Sequence, residues 1–275
     1  MEKLIVALPS TFTCIENRKL RTYLIGKLAR YLAIFKVTHV FIYYDPDPRF
    51  NSHGLGKYIT KVLKHCITPP YLKKYATPYK SEYREFGLLH PLQIKSHLEK
   101  RPTGQFNWGV VNKNLELIFF RGSKLLKSKI NKEELKSKGY SLNLPQLVVL
   151  KNYKLCSPLE LGRKYYLGFW VRYFNKGLKE VIEFSKANFK PLFVIATSRQ
   201  GKFVFELKNI IKTQLRKNWM VLFGGHHRGL LQLGKKEWYD IIINLFKDQE
   251  TKTIRTEEAI PLVLQALTSI QHLNV

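Results

Sequence analysis

The sequence predicts an α/β protein, a parallel sheet with helices on both faces, interrupted by a small inserted β-domain. Three observations carry this. Short apolar runs at 4–8, 37–44, 192–195 and 220–223 alternate with helical stretches, the pattern of a sheet buried on both sides. Between residues 89 and 164 that alternation stops, and short strand-like pieces among glycine turns replace it. Hydrophobic residues make up 45% of the 275, which supports a core of that size.

Residues 4–8 read as a buried strand closed by Pro9-Ser10. A helix follows over 18–35, where Leu20, Tyr23, Leu24, Leu28, Tyr31, Leu32 and Phe35 recur at three- and four-residue spacing and predict a core stripe. The second strand, 37–44, is stopped by Asp45-Pro-Asp-Pro48. Another helix is expected over 51–67, broken by Thr68-Pro-Pro-Tyr-Leu-Lys-Lys74.

Inside the insert, 106–111, 115–121 and 147–150 read as strands, with Gly104, Gly109, Gly122 and Gly139 among turns, which suggests a small β-barrel or sandwich. Lys124, Lys127, Lys129, Lys132, Lys136 and Lys138 read as one crowded loop. The α/β pattern then returns: a helix over 178–187 with Val181, Ile182 and Phe184 inward, a strand at 192–195, a helix over 203–215 and a strand at 220–223. A further strand is expected near 241–245. The final helix, 256–271, has Thr256 as its expected N-cap and faces Ile260, Val263, Leu264, Leu267 and Ile270 inward.

Charge decides the partner class. With 47 Lys and Arg against 20 Asp and Glu, the chain carries +27, an excess that repels itself unless a polyanion gives it a use. Nucleic acid fits, whereas a thermophile-style surface would balance its lysines with glutamates. Residues 57–84 hold Lys57, Lys61, Lys64, Lys73, Lys74, Lys80 and Arg84 against Glu82 alone, interleaved with Tyr58, Tyr71, Tyr75, Tyr79 and Tyr83. Charge for phosphates and rings for unpaired bases suit RNA, and the same pattern suits a solvated helix with tyrosines packed inside. The insert carries thirteen basic residues against four acidic ones over 90–155, so it too is a candidate RNA surface. Lys73, Lys74, Lys124, Lys127 and Lys129 are the expected contacts. Cys14, Cys66 and Cys156 show no disulfide or metal spacing, and no run is long enough to span a membrane or serve as a signal peptide. An intracellular, soluble protein without a metal or membrane partner is expected.

Three strand-to-loop edges fall within the last third: Pro191 through Gly201, Trp219 through Leu230, and Trp238 through Ala259. The middle one, Phe223-Gly-Gly-His-His-Arg-Gly-Leu230, is glycine-rich and lets backbone amides approach a ligand closely. No G-x-x-x-x-G-K-[ST] is present, and Gly224-Gly225 with Gly229 is not G-x-G-x-x-G. His226 and His227 are adjacent with no third ligand nearby, which suggests a loop tip or an RNA contact rather than a metal.

A wider set of motifs narrows the ligand: Ile25-Gly-Lys-Leu-Ala-Arg30 with Ala33-Ile-Phe-Lys-Val37, Thr68-Pro-Pro-Tyr-Leu-Lys73, Gly87-Leu-Leu-His-Pro-Leu92, the glycine turn itself, and Thr253-Ile-Arg-Thr-Glu-Glu-Ala-Ile260. In this order they resemble the archaeal and eukaryotic branch of the SPOUT RNA methyltransferases that carries an inserted OB-like domain. The resemblance spans nearly the whole chain, the insert matching in position and character. It implies a trefoil knot in an α/β domain made of 1–88 and 165–275, with 89–164 as the inserted RNA-binding module. It also implies a homodimer, S-adenosylmethionine bent between knotted loops, and a ribosomal RNA base as target, with uridine N3 suggested by the branch. By position, the cofactor loops hold Ala196, Thr197, Ser198 and Gly201; Phe223, Gly224, Gly225 and Gly229; and Asn244, Leu245, Gln249, Thr253, Ile254, Arg255 and Thr256.

The sulfonium methyl is already activated, so the protein chiefly aligns the attack and eases loss of a proton from the nucleophile. Arg30, Arg18 and Arg21 on the first helix are the catalytic candidates, with a surface ion pair as the structural alternative for Arg30. The third loop departs from the family pattern: Glu250 stands where glycine is expected and Lys252 where an acid is expected. That departure keeps a second reading open, a knotted RNA-binding ribosome-assembly factor with a degenerate cofactor site.

Overall fold

A computed structural model of the chain describes residues 3–77, 81–97, 106–158, 162, 165–225 and 227–272. Its contacts divide the chain into two compact units, Met1–Leu63 with Phe169–Val275, and Lys64–Gly168.

The first unit is built on a six-stranded sheet in the order β11-β9-β10-β1-β2-β8. Its strands are β1 (Leu4–Pro9), β2 (His39–Tyr43), β8 (Trp170–Phe174), β9 (Leu192–Phe203), β10 (Asn218–Leu222) and β11 (Ile241–Asn244). Every pairing is parallel, and β1 lies between β10 and β2 with Val6 opposite Val221 on one side and Val40 on the other. One face carries Ile5, Ala7, Phe41, Val194 and Met220 against Val181 and Ile182 of helix α5 (Leu178–Asn188). The opposite face, with Val6, Leu8, Val40, Ile42, Ile195 and Val221, is equally buried. Burial on both faces explains why these strands read as continuous apolar runs.

Helix α1 (Arg18–Ile34) opens at Asn17, whose side chain accepts from the Lys19 and Leu20 amides at 3.0 and 3.1 Å. Its buried stripe is Thr22, Ile25, Gly26, Leu28, Ala29 and Leu32. The predicted stripe is therefore half wrong: Leu20 and Tyr23 are exposed, and the helix is rotated so that the small residues Gly26 and Ala29 face inward. Helix α2 (Ser52–Ile67) follows β2, and helix α8 (Thr256–His272) packs against α1. Thr256 is not the cap of α8. Arg255 takes that position, its backbone N–H donating to Glu258 Oε2 at 2.9 Å, and Thr256 is the first helical residue.

The helix expected over 203–215 is reduced to α6 (Lys208–Thr213) in the structure, because β9 runs on to Phe203 and Val204 still donates to Asn244 O at 2.8 Å. Pairing with β11 outweighs the local helical pattern there. Short helix α7 (Leu230–Leu233) follows the glycine turn.

The second unit is a five-stranded antiparallel sheet in the order β5-β4-β3-β6-β7, formed by β3 (Phe106–Val111), β4 (Glu116–Arg121), β5 (Lys124–Lys129), β6 (Gln146–Lys151) and β7 (Lys154–Leu155). Helix α3 (Lys73–Ala76) precedes it and helix α4 (Lys132–Ser137) joins β5 to β6. Its core gathers Leu72, Phe106, Trp108, Val110, Leu135, Tyr140 and Val149. Two buried polar groups are satisfied within it: Trp108 Nε1 donates to Ser96 O at 2.7 Å, and Tyr140 O–H donates to Cys156 O at 3.0 Å. The lysine run is not a loop. Lys124, Lys127 and Lys129 lie exposed on edge strand β5, and Lys132 and Lys136 on α4. Lysines on an outer strand keep other chains from pairing with it, a structural use for the same charges.

Candidate functional site

In a parallel sheet the ligand crevice lies beyond the carboxyl ends of the strands. Here the three strand-to-loop edges meet at that end of β9, β10 and β11. Pairing of β9 with β11 passes from Ala196 opposite Ile242 to Lys202 opposite Ile243, so residues 197–201 leave the ladder as a lobe. Thr197 Oγ1 donates to Leu222 O at 2.8 Å and ties the lobe to the end of β10. Gly201 closes it: a Cβ there would lie 2.6 Å from the Ile243 carbonyl carbon.

The second loop leaves β10 at Phe223, whose carbonyl accepts from the buried Tyr43 hydroxyl at 2.7 Å. Burial, and then the neighbouring Asp45 charge, push that hydroxyl's pKa well above its ordinary value, so it stays a donor. Gly225 N–H donates to Arg228 O at 2.9 Å to close the turn. The third loop is held to both others. Asn244 Nδ2 donates to Arg199 O at 3.1 Å, Arg199 Nη1 donates to Lys252 O at 3.1 Å, and Thr256 Oγ1 donates to Gly224 O at 3.1 Å. Gln249 stays within its own loop, donating to Thr251 O at 2.8 Å. Glu250 and Lys252 have exposed side chains, so neither is buried among the loops. The structure thus gathers the residues expected on the three loops in one place. Ser198, Leu245, Thr253 and Ile254 lie on the same segments, and Gly229 has open space where a Cβ would be.

Beside the glycine turn stands a group that the sequence marks only as a strand stop. Asp45 is buried at the end of β2; Thr11 Oγ1 donates to its Oδ2, and Arg228 Nη2 donates to its Oδ1 at 2.5 Å. Ser10 Oγ bridges its backbone, donating to Asp45 O at 3.2 Å and accepting from Asp45 N at 3.1 Å. Asp47, also buried, accepts from Arg49 N at 2.8 Å, and His227 Nε2 lies 3.0 Å from its Oδ2. Burial acts to raise the Asp47 pKa, but hydrogen bonds from the Arg49 backbone and side chain and the Arg49 and His227 charges hold the carboxyl below its ordinary value. Cys14 sits against the same carboxyl. Burial first, then the Asp47 charge and a hydrogen bond to it, push the thiol to about 12 and leave it unreactive. The sequence holds a faint signal for the two aspartates: acids are scarce in this chain, and Asp45 and Asp47 stand two and four residues past the end of β2.

Of the three arginine candidates, Arg18 and Arg21 lie on the first turn of α1, next to the Ser10–Thr13 turn that follows β1. Arg30 lies three turns away, about 18 Å from Arg18 along the axis. Arg21 donates through Nε to Ile15 O at 3.0 Å and through Nη2 to the same carbonyl. Arg18 lies over the Tyr58 ring at 5.0 Å. The interleaved tyrosines are largely spent on packing: Tyr58 bonds Thr22, Tyr71 meets Phe120 edge-on at 5.7 Å, and Tyr83 lies 5.0 Å from Phe86. Lys73 is half-buried and burial lowers its pKa, whereas Lys74 is exposed over Tyr75. Tyr79, Lys80, Gly104 and His226 lie outside the described residues, so the paired-histidine expectation rests on His227 alone. Among the described residues no group of three His, Cys, Asp or Glu is placed to hold a metal, and no helix is long and apolar enough to cross a membrane.

Three cross-tied loops thus stand at the carboxyl edge of a parallel sheet, the place where α/β proteins take their ligands, in a chain of net charge +27. Residues 3–267 match the family described as "Putative RNA methyltransferase", and the chain belongs to that family. It is 25% identical over 290 residues to a 28S rRNA (uridine-N(3))-methyltransferase of Drosophila melanogaster, covering 92% of this chain and 59% of that protein. To the Homo sapiens protein of the same name it is 28% identical over 298 residues, covering 95% of this chain and 77% of the other. The chain therefore spans about three fifths of the fly relative's length. A solved RNA 2′-O ribose methyltransferase aligns over 99% of this chain and 57% of its own, at 10% identity and a TM-score of 0.42.

Proposed function

We propose that this chain is an S-adenosylmethionine-dependent methyltransferase that acts on N3 of a uridine in large-subunit ribosomal RNA. The observation that carries the reading is the joining of the 197–201 lobe, the glycine turn and the third loop by direct hydrogen bonds. The donor set fits the cofactor: backbone groups, Thr197, Ser198, Asn244 and Thr253 are neutral, as adenine and ribose require, and the space at Gly229 is open. Once bound, the cofactor supplies an activated methyl on a sulfonium. The chain's own task is to orient the uridine and favour loss of the N3 proton. Arg21 suits the second task. Its Nε and Nη2 both donate to the neutral Ile15 carbonyl, and its positive charge would favour an anionic imide placed beside it.

The finer parts of the reading belong to the same proposal. The three-loop end is the SPOUT trefoil knot of the archaeal and eukaryotic branch, in an α/β domain of 1–88 with 165–275. The insert, 89–164, is OB-like: five antiparallel strands, the first of them central, with a helix after the third, support that reading. The protein is a homodimer through the exposed side of α1. Exposure of Glu250 and Lys252 weighs against the degenerate-site alternative, because neither side chain is buried among the loops.

Calorimetry with S-adenosylhomocysteine, followed by transfer of labelled methyl to a large-subunit rRNA transcript and nucleoside mass spectrometry, tests this. The expected product is 3-methyluridine. Absence of S-adenosylhomocysteine binding at millimolar ligand defeats the enzymatic reading and leaves the assembly factor.

A further inference from the structure

The second unit carries an aromatic residue in a place that disfavours one. Strands β6 and β7 pair Lys151 with Lys154, so only Asn152 and Tyr153 form the turn. Both have positive φ, +51° and +62°. A two-residue hairpin of this kind favours Asn followed by Gly, and a bulky side chain in the second position is strained. Backbone strain of this sort clusters at functional sites.

What surrounds Tyr153 says what it is for. The hairpin of β4 and β5 comes alongside, so that Phe119 lies 6.0 Å from the Tyr153 ring and the Arg121 guanidinium 5.1 Å from its centroid. Tyr153 itself is 37% exposed, and Arg121, Lys124, Lys151 and Lys154 are all exposed around it. Residues 119–126 and 149–156 contain no acid. An open ring already stacked by a guanidinium, ringed by cations, matches the needs of an unpaired nucleotide: a π-face for the base and charge for its phosphates.

We propose that Tyr153 and Arg121 form a stacking site for one unpaired RNA base, with Lys124, Lys151 and Lys154 holding the flanking phosphates. It rests on the reading that the chain acts on RNA, and it assigns these contacts to the paired hairpin tips rather than to the length of β5.

The test uses the full chain and a short fluorescent oligouridine, single-stranded or annealed to oligoadenine. Tyr153→Gly should weaken single-strand binding about tenfold and leave duplex binding within about twofold, whereas Tyr153→Phe should bind as the unaltered chain does. Lys154→Gln should lower the salt dependence of single-strand binding, the slope falling by about 0.7. Because glycine suits a positive φ, Tyr153→Gly should unfold at the same or a higher temperature. Unchanged single-strand affinity in Tyr153→Gly overturns the proposal, as does lack of single-strand binding by the unaltered chain. S-adenosylhomocysteine binding by the same variant, expected to be unaltered, reports on the methyltransferase reading separately: its loss from every form of the chain defeats that reading while the stacking site stands.

Discussion

At the scale of single residues, Asp45 links chemistry that the sequence scatters over more than two hundred positions. Its carboxylate takes a hydroxyl from one strand end and a guanidinium from the glycine turn, and its backbone is bridged by a serine. Removing it in Asp45→Ala leaves Thr11 and Arg228 without their acceptor. With Arg228 itself 41% exposed, the loss is about 1–3 kcal/mol, less than for a fully buried pair. Urea unfolding should show that loss, and S-adenosylhomocysteine affinity should fall with it as the turn loosens; an unchanged affinity would separate Asp45 from the loop.

Gly225 belongs to the same contact, because a Cβ there would sit 2.2 Å from Asp45 Oδ2. Gly225→Val should therefore abolish cofactor binding by pushing the turn off Asp45, while RNA binding stays largely intact. Gly229→Ala meets no atom within 4 Å of the new carbon, so it should fold normally and any loss of ligand affinity reports the ligand space itself. Calorimetry on both variants distinguishes displacement of the loop from obstruction of the site.

At the scale of elements, what could be read from sequence was what local pattern controls. The boundaries of β3, α2 and α8 follow apolar periodicity, and the strand expected near 241–245 is β11, Ile241–Asn244. What could not be read depends on partners distant in the chain. The extension of β9 to Phe203 needs β11, and the rotation of α1 that exposes Leu20 is set by what covers its other side. Glycines mark the first two loops of the site, whereas the third holds none and its residues follow from the family resemblance; Thr11 and Arg228 carry no mark and Asp45 only that of a scarce acid, because ordinary residue types become a group only on folding.

His39, at the start of β2, shows how an element can carry a pH dependence. Burial, then the Lys3 charge, lowers its pKa to about 4, and its ring lies edge-on to Phe189 at 4.8 Å. The folded chain holds the neutral ring, so its contribution is whole above about pH 6.5 and declines as pH falls towards 4, where the unfolded chain takes up the proton first. Urea midpoints at neutral pH and near pH 5 should differ accordingly, and His39→Phe should flatten the difference. His65, lowered to about 4 by burial and by Lys73, should leave a second such slope in the variant.

At the scale of the whole molecule, the charge of +27 and an uncovered apolar face pull in different directions, and assembly is where they meet. Leu20, Tyr23 and Ile34 lie on the side of α1 opposite its buried stripe, with exposures of 48%, 42% and 62%. Leu20 and Tyr23 at one end of that side and Ile34 at the other, with the exposed Lys27 between them, leave apolar surface that a partner would cover. A second copy of the chain would cover them, but two chains of this charge repel one another, and salt weakens that repulsion while leaving apolar burial in place. Sedimentation should therefore show a dimer that tightens as salt is raised. Leu20→Glu together with Ile34→Glu should give a monomer at the same protein concentration, without loss of the helical circular dichroism signal. RNA binding should weaken in the opposite sense, with salt, since it depends on the same charges directly. A monomer at every salt concentration, or a dimer unaffected by the double substitution, would remove α1 from the interface and leave those residues to be explained by another partner.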